Sequence, residues 1–272
     1  MSGSQRHRAV ADATMPGALP RKPDGPVRLI WRALQWVLLA QACAEFAQYL
    51  PLFFVIRAQL LLALQGGELG SLPALAAPAG IPVDWIVMDV VLFIGAVRRA
   101  KAVGGEIAAG MGDAPVRRPA WLAGICGFAG LYAAAVGYVA GLSVRLGSGP
   151  AQTAIGDLGD FAHDPVAAQI VAVVHALLLA PLVEEMFFRG WLWEGLLPTC
   201  GGVATAALTA AACLAFDGLD GGWPRFTALL VPTALMTLAR AACGGIRASA
   251  LVHLVNNAML FAAFRLMAWA AP

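Results

Sequence analysis

The sequence predicts an all-α protein, a multi-pass transmembrane helical bundle with about seven or eight membrane segments. Three observations carry that prediction. Of the 272 residues, 60% are hydrophobic and only 12% are charged, about half the charged content of an ordinary soluble domain. Several apolar runs are long enough to cross a hydrocarbon core about 30 Å thick. The alternating segments of about ten residues that mark a membrane β-barrel are missing. A net charge of +2 decides little by itself, because in a bilayer the placement of Lys and Arg matters more than their sum. The lipid bilayer is the expected surrounding, and no nucleic acid is expected as a partner.

Taken in order, residues 1–28 are polar and rich in Pro, Gly and Arg, without the apolar stretch of a cleavable signal peptide. They are expected to form a disordered cytoplasmic tail, with the transmembrane domain covering 29–272. Arg6, Arg8, Arg21, Lys22, Arg28 and Arg32 would hold the N-terminus inside, as in an integral protein of a bacterial inner membrane. The first apolar stretch, 34–64, is broken by Glu45, Pro51 and Arg57. It reads as one kinked helix or as an amphipathic helix followed by a span. A Gly- and Pro-rich loop over 66–82 separates it from a second span, 83–97, which stops at Arg98-Arg99-Ala100-Lys101. A third span, 120–142, carries Gly137 and Gly141 at the spacing that lets two helix backbones approach closely.

Residues 143–165 are polar and would lie outside; His163 between Asp160 and Asp164 suits solvation in a loop better than a metal. A fourth segment starts near 167 and is predicted to stop at Pro198. Shorter apolar segments follow over 203–216, 226–238 and 248–269, with Arg240 and Arg247 flanking the last connection on the inner side. The five cysteines are scattered through apolar surroundings with no CxxC spacing, as packed free thiols would be.

Chemistry concentrates in three places. The fourth segment holds Glu184, Glu185 and Arg189 within an otherwise apolar run. Carboxylates at bilayer depth cost roughly 2.5–3.5 kcal/mol each on insertion scales and need a partner or a task. Glu185 and Arg189 share a helical face and can pair, whereas Glu184 points about 100° away. The fifth segment closes on Phe216-Asp217-Gly218-Leu219-Asp220, and the seventh contains His253 and Asn257 four residues apart on one face. Each group alone has a plain explanation, as a turn aspartate or as interhelical hydrogen-bonding polar residues. Gathered together, they would form one polar cluster in an apolar bundle, with a base for water and donors for an oxyanion.

These residues resemble the motifs of the intramembrane protease family that includes the eukaryotic prenyl-protein CAAX endopeptidase and bacterial Abi-type proteins, often called CPBP. Its Glu-Glu-x-x-x-Arg is matched by Glu184, Glu185 and Arg189 after Ala180-Pro181, and its closing His-x-x-x-Asn by His253 and Asn257. The resemblance covers roughly 165–260 and implies an intramembrane endopeptidase acting on a peptide or protein substrate. Glu184 would then be general base, Glu185 and Arg189 a structural pair, and His253 with Asn257 the oxyanion site. In the family's second motif, Phe-x-x-x-His, Phe216 is present but Asp220 stands in place of histidine. His175 lies about 13 Å along the helix from Glu184 and is a poor substitute.

Three readings of Asp220 stay open. It can share a proton with Glu184 as paired carboxylates do. It can join Glu184 and His253 as ligands of a divalent metal such as zinc. Or it can leave a catalytically impaired pseudoprotease, kept as a membrane binding or immunity protein. Rhomboid and His-Glu-x-x-His motifs are missing.

Overall fold

The computed structural model describes residues 25–64, 83–102, 115–145, 166–218 and 222–269. Among these residues every regular element is a helix. Helix α1 runs Pro26–Leu64, α2 Val83–Ala102 and α3 Pro119–Arg145. A continuous helical run then starts at Val166 and ends at Gly218. The last two are α6, Gly222–Cys243, and α7, Gly245–Trp269.

Of the two readings of the first apolar stretch, a single helix is observed. It begins at Pro26, eight residues ahead of the expected start at Leu34, with proline at the first helical position where its missing N–H costs nothing. The run from Val166 corrects another expectation. Its helix does not stop at Pro198 but continues to Gly201, whose φ of 74° and ψ of 169° break it. No atom would crowd a Cβ at Gly201, so the positive φ accounts for glycine there.

The two arms around Gly201, α4 (166–200) and α5 (202–218), fold back on one another. Arg189 donates from Nη1 to the Sγ of Cys213 at 3.3 Å, and the Phe188 and Phe216 rings lie 5.5 Å apart. Both pairs are nearly symmetric about Gly201, as an antiparallel hairpin requires. Four helices among the described residues are long and apolar enough to cross a membrane: Pro119–Ser143, Val166–Phe216, Arg225–Cys243 and Gly245–Met267. The second of these is the folded hairpin. Helix α2 falls outside this set because Asp84, Asp89, Arg98, Arg99 and Lys101 crowd its length. The described helices therefore establish a multi-helix membrane bundle, while the expected seven or eight segments are not reached on length and apolarity alone.

Among the described residues two apolar cores hold the bundle. One joins Leu29 and Ala33 of α1 and Leu92 and Ala96 of α2 to Phe187, Phe188 and Leu196 of α4. The other joins Leu122 and Ala129 of α3, Met236 and Ala239 of α6 and Val252 of α7. Between α3 and α7 the backbones touch. A Cβ on Gly137 would sit 2.5 Å from the Leu260 carbonyl oxygen, and one on Gly141 2.6 Å from Cβ of Met267. The glycine pair read from the sequence is thus the seam between these helices.

The start of α1, the end of α2, the hairpin tip and the α6–α7 junction meet at one end of the bundle. Leu29 packs against Gly195, Ala100 shares a core with Leu196 and Ile246, and Arg117 N–H donates to the Cys243 carbonyl. The tail 1–24, the loops 66–82 and 146–165 with His163, and Asp220 lie outside the described residues.

Because backbone cannot yield as a side-chain tip can, Gly137→Ala is expected to lower stability by about 1–3 kcal/mol. The change would read as a lower midpoint for thermal unfolding in detergent, with Gly124→Ala, which meets open space, as the neutral control.

Candidate active site

Helix α4 departs from α geometry twice. Residues His175–Leu179 and Glu185–Leu192 are π-helical, and the short α segment between them, Ala180–Glu184, ends on the first glutamate. Such bulges are rare and occur mostly where function requires a side chain to be re-aimed. Each also diverts a backbone donor. The Ala180 N–H reaches the His175 carbonyl, five residues back, rather than Ala176 as α geometry would have it. The Ala176 carbonyl instead accepts from Nδ2 of Asn257 at 2.8 Å.

Glu185 and Arg189 are fully buried and joined at 2.9 Å between Oε1 and Nη1. In the same small space lies His253 of α7. Its Nδ1 is 3.3 Å from Oε1 of Glu185, and its Nε2 is 4.0 Å from Oε2 of Glu184. With a proton on Nδ1 the ring donates to Glu185 and turns a lone pair on Nε2 towards Glu184. Glu184 itself is nine-tenths buried. Asn257 follows one helical turn after His253. Its amide oxygen accepts from Asn256 at 3.1 Å while its amide nitrogen holds Ala176. One N–H of Asn257 is therefore committed to backbone and the second is left to face another acceptor.

The wall on the other side is aromatic. Phe187 packs edge-on against both Phe188 and Trp191, with ring centroids 5.1 and 4.6 Å away. Next to Phe188 opens an apolar groove of about 550 Å³ bounded by Leu34 and Val37 of α1, Leu192 of α4 and Phe216 of α5.

Five of the six residues singled out in the sequence are thus described: Glu184, Glu185, Arg189 and His253 converge, while Asn257, one turn after His253, binds the Ala176 carbonyl. Asp220, the sixth, follows Phe216 by four residues outside the described part. A metal does not find a cage in the described residues. Among them no three His, Cys, Asp or Glu side chains form a cluster able to hold an ion. Glu184 and Nε2 of His253 are two facing donors, while Glu185 is bound to Arg189. Zinc ordinarily takes three or four protein ligands, so the described set is incomplete for it.

Three partnerships were not read from the sequence. His175, set aside as too far from Glu184, has its own partner: Nε2 lies 2.8 Å from Oδ2 of Asp89, off the line of a good hydrogen bond, beneath the Trp85 ring. Asp89 in the apolar stretch of α2 was the available signal for it. Asn256 was overlooked beside Asn257. Arg240 was read as a topogenic charge, yet it is buried and reaches the site's helix.

Residues 166–259 match the family model of the type II CAAX prenyl endopeptidase, Rce1-like. This is the family to which the motifs pointed. The Rce1-like match begins with α4 and ends within α7, so it spans both glutamates, the hairpin and the His253–Asn257 pair. Comparison with curated proteins finds no match, and comparison with solved structures finds none.

The Glu185–Arg189 pair predicts an asymmetry in mutation. Arg189→Met strands a buried carboxylate and is expected to cost about 3–5 kcal/mol, whereas the double change Glu185→Gln with Arg189→Met removes both charges and is expected to cost less. Denaturation of the two purified variants side by side checks the order.

Proposed function

We propose that the protein is an intramembrane endopeptidase of the CAAX type, in which Glu184 activates a water that attacks a peptide bond. The observation that carries this reading is His253, whose two ring nitrogens face Glu185 and Glu184 inside an apolar bundle. At 4.0 Å, Nε2 and the Glu184 carboxylate are too far apart to bond directly, but a bent, water-bridged contact spans that separation. A water held there has a carboxylate to take its proton as it attacks. Glu185, balanced by Arg189, fixes the ring from behind. The remaining N–H of Asn257 would donate to the oxygen of the tetrahedral intermediate, joined by the imidazole only once Nε2 is itself protonated, the arrangement that lowers acyl-transfer barriers most.

The apolar groove beside Phe188 supports a substrate anchored by a lipid or an apolar side chain, consistent with the prenyl substrates in the family's name. Clustering of Arg28, Arg32, Arg98, Arg99, Lys101, Arg117 and Arg247 on segments that meet at one end supports a cytoplasmic N-terminus. A divalent metal remains a proposal that would need Asp220 or water to complete Glu184 and His253. Its bound form would supply Lewis acidity to the attacked carbonyl.

The test is cleavage of a farnesylated CAAX-type peptide by protein reconstituted in liposomes. Glu184→Gln is expected to lower kcat by at least about 100-fold, the scale of a lost general base, with the melting point retained. Cleavage by Glu184→Gln at the wild-type rate would sink the mechanism.

A second reading follows from the residue at position 220. The family's histidine is replaced by Asp220, which favours a pseudoprotease if the carboxylate does no work. Phe216 pairs with Phe188 across the hairpin; Asp220 follows the one by four residues, as Glu184 precedes the other by four. That register supports a working carboxylate. Asp220→Ala is accordingly expected to lower cleavage by about 10–100-fold, within the range of general acid–base contributions. An inactive wild type that gains activity on Asp220→His would instead establish the pseudoprotease.

A further inference from the structure

The second π turn poses the same backbone problem as the first, and a different side chain answers it. The Trp193 N–H reaches the Phe188 and Gly190 carbonyls and passes over Arg189, its α-helical partner. The Arg189 carbonyl is met by Nε of Arg240, on α6, at 2.9 Å. Arg240 is itself held: its Nη2 binds the Glu194 carboxylate, and its guanidinium lies 5.4 Å from the Trp193 ring centre. A buried arginine is costly, and this one gives one N–H to a backbone oxygen and another to a carboxylate. The residues it grips, 189, 193 and 194, bracket the end of the turn that begins at Glu185.

We infer that Arg240, anchored by Glu194, is a positioning residue for the site. It stabilises the π turn over Glu185–Leu192 and thereby sets how Glu184 and Glu185 face His253. Without a donor for the Arg189 carbonyl in an apolar medium, the turn would relax to α geometry, where Trp193 itself donates. Relaxation shifts the helical register across the bulge and so rotates the glutamates relative to α7. Asn257 fixes the first π turn in the same way, so the Ala180–Glu184 segment is clamped from both ends by side chains of other helices.

The functional consequence rests on the hydrolytic reading above, but the clamp is measurable without it. Hydrogen–deuterium exchange on Arg240→Ala in nanodiscs is expected to show faster exchange confined to 185–194, with the α3–α7 seam unchanged. Cleavage assays on the same protein are expected to show kcat down by about 100-fold with KM little altered, the scale of an ångström-sized misplacement. Arg240→Lys, which can still donate to the carbonyl but not fork onto Glu194, is expected to recover part of kcat. Glu194→Ala, which keeps Arg240 but frees it, is expected to loosen the same window and covers the case in which Arg240→Ala does not fold. Unchanged exchange over 185–194 in Glu194→Ala and Arg240→Ala overturns the clamp. So does a uniform rise across all helices with no recovery in Arg240→Lys. If wild type cleaves nothing while the local exchange response appears, the clamp stands and the hydrolytic reading falls.

Discussion

Lipid offers no hydrogen bonds, so every polar group in a membrane helix must be answered from within the protein. Among the described residues α4 carries four buried ionisable side chains, His175, Glu184, Glu185 and Arg189. Its Glu185 is met by Arg189 and His253, its Arg189 also by Cys213, its His175 by Asp89. Two of its carbonyls, displaced from the helix's own ladder by the π turns, are met by Asn257 and Arg240. The answering side chains come from α2, α5, α6 and α7. The packing of those helices around α4 is therefore as much a matter of polar satisfaction as of apolar burial.

Stability alone would not favour such an arrangement. A buried ion pair is often no better than two apolar residues of like volume, and a π turn gives up regular backbone bonding. The π turns and the Glu185–Arg189 pair all fall within 175–192, a short fraction of a chain whose other described helices are regular apart from the break at Gly201. Departures from local ideality collected in one place mark a functional site more often than a structural accident. What the departures achieve is aim: two consecutive glutamates with different tasks, one neutralised by arginine and one turned towards an imidazole.

The fold class was legible because composition and run length report directly on solvent, and a bilayer is an extreme one. The pairing of Glu185 with Arg189 was legible because it depends only on helical spacing, which survives the π turn well enough for a 2.9 Å contact. What stayed hidden depends on relations between helices. Nothing in the sequence marks a π turn, so the need for a donor at the Ala176 and Arg189 carbonyls was invisible, and with it the role of Arg240. Pro198 looked like a stop, whereas the chain turns three residues later at Gly201. Proline removes a hydrogen bond within a helix, but only a positive φ reverses its direction.

The hairpin also bears on the departure at position 220. As in a reading by alternating spans, the end of α5 lies toward the other end of the bundle from the start of α7, whose junction with α6 meets the hairpin tip. The observed turn at Gly201 brings Phe216 back beside Phe188, one helical turn from Glu184. The end of α5 is thus directed to the depth of the glutamates rather than away from them. At that depth the described residues already hold Glu184 and a histidine that faces both glutamates. In the proposed site an imidazole at position 220 would add a second base, whereas a carboxylate would hold one proton jointly with Glu184. Under the proposed mechanism such a dyad would still activate water with one oxygen ionised, so the substitution would change which protonation state is competent before it removed the chemistry.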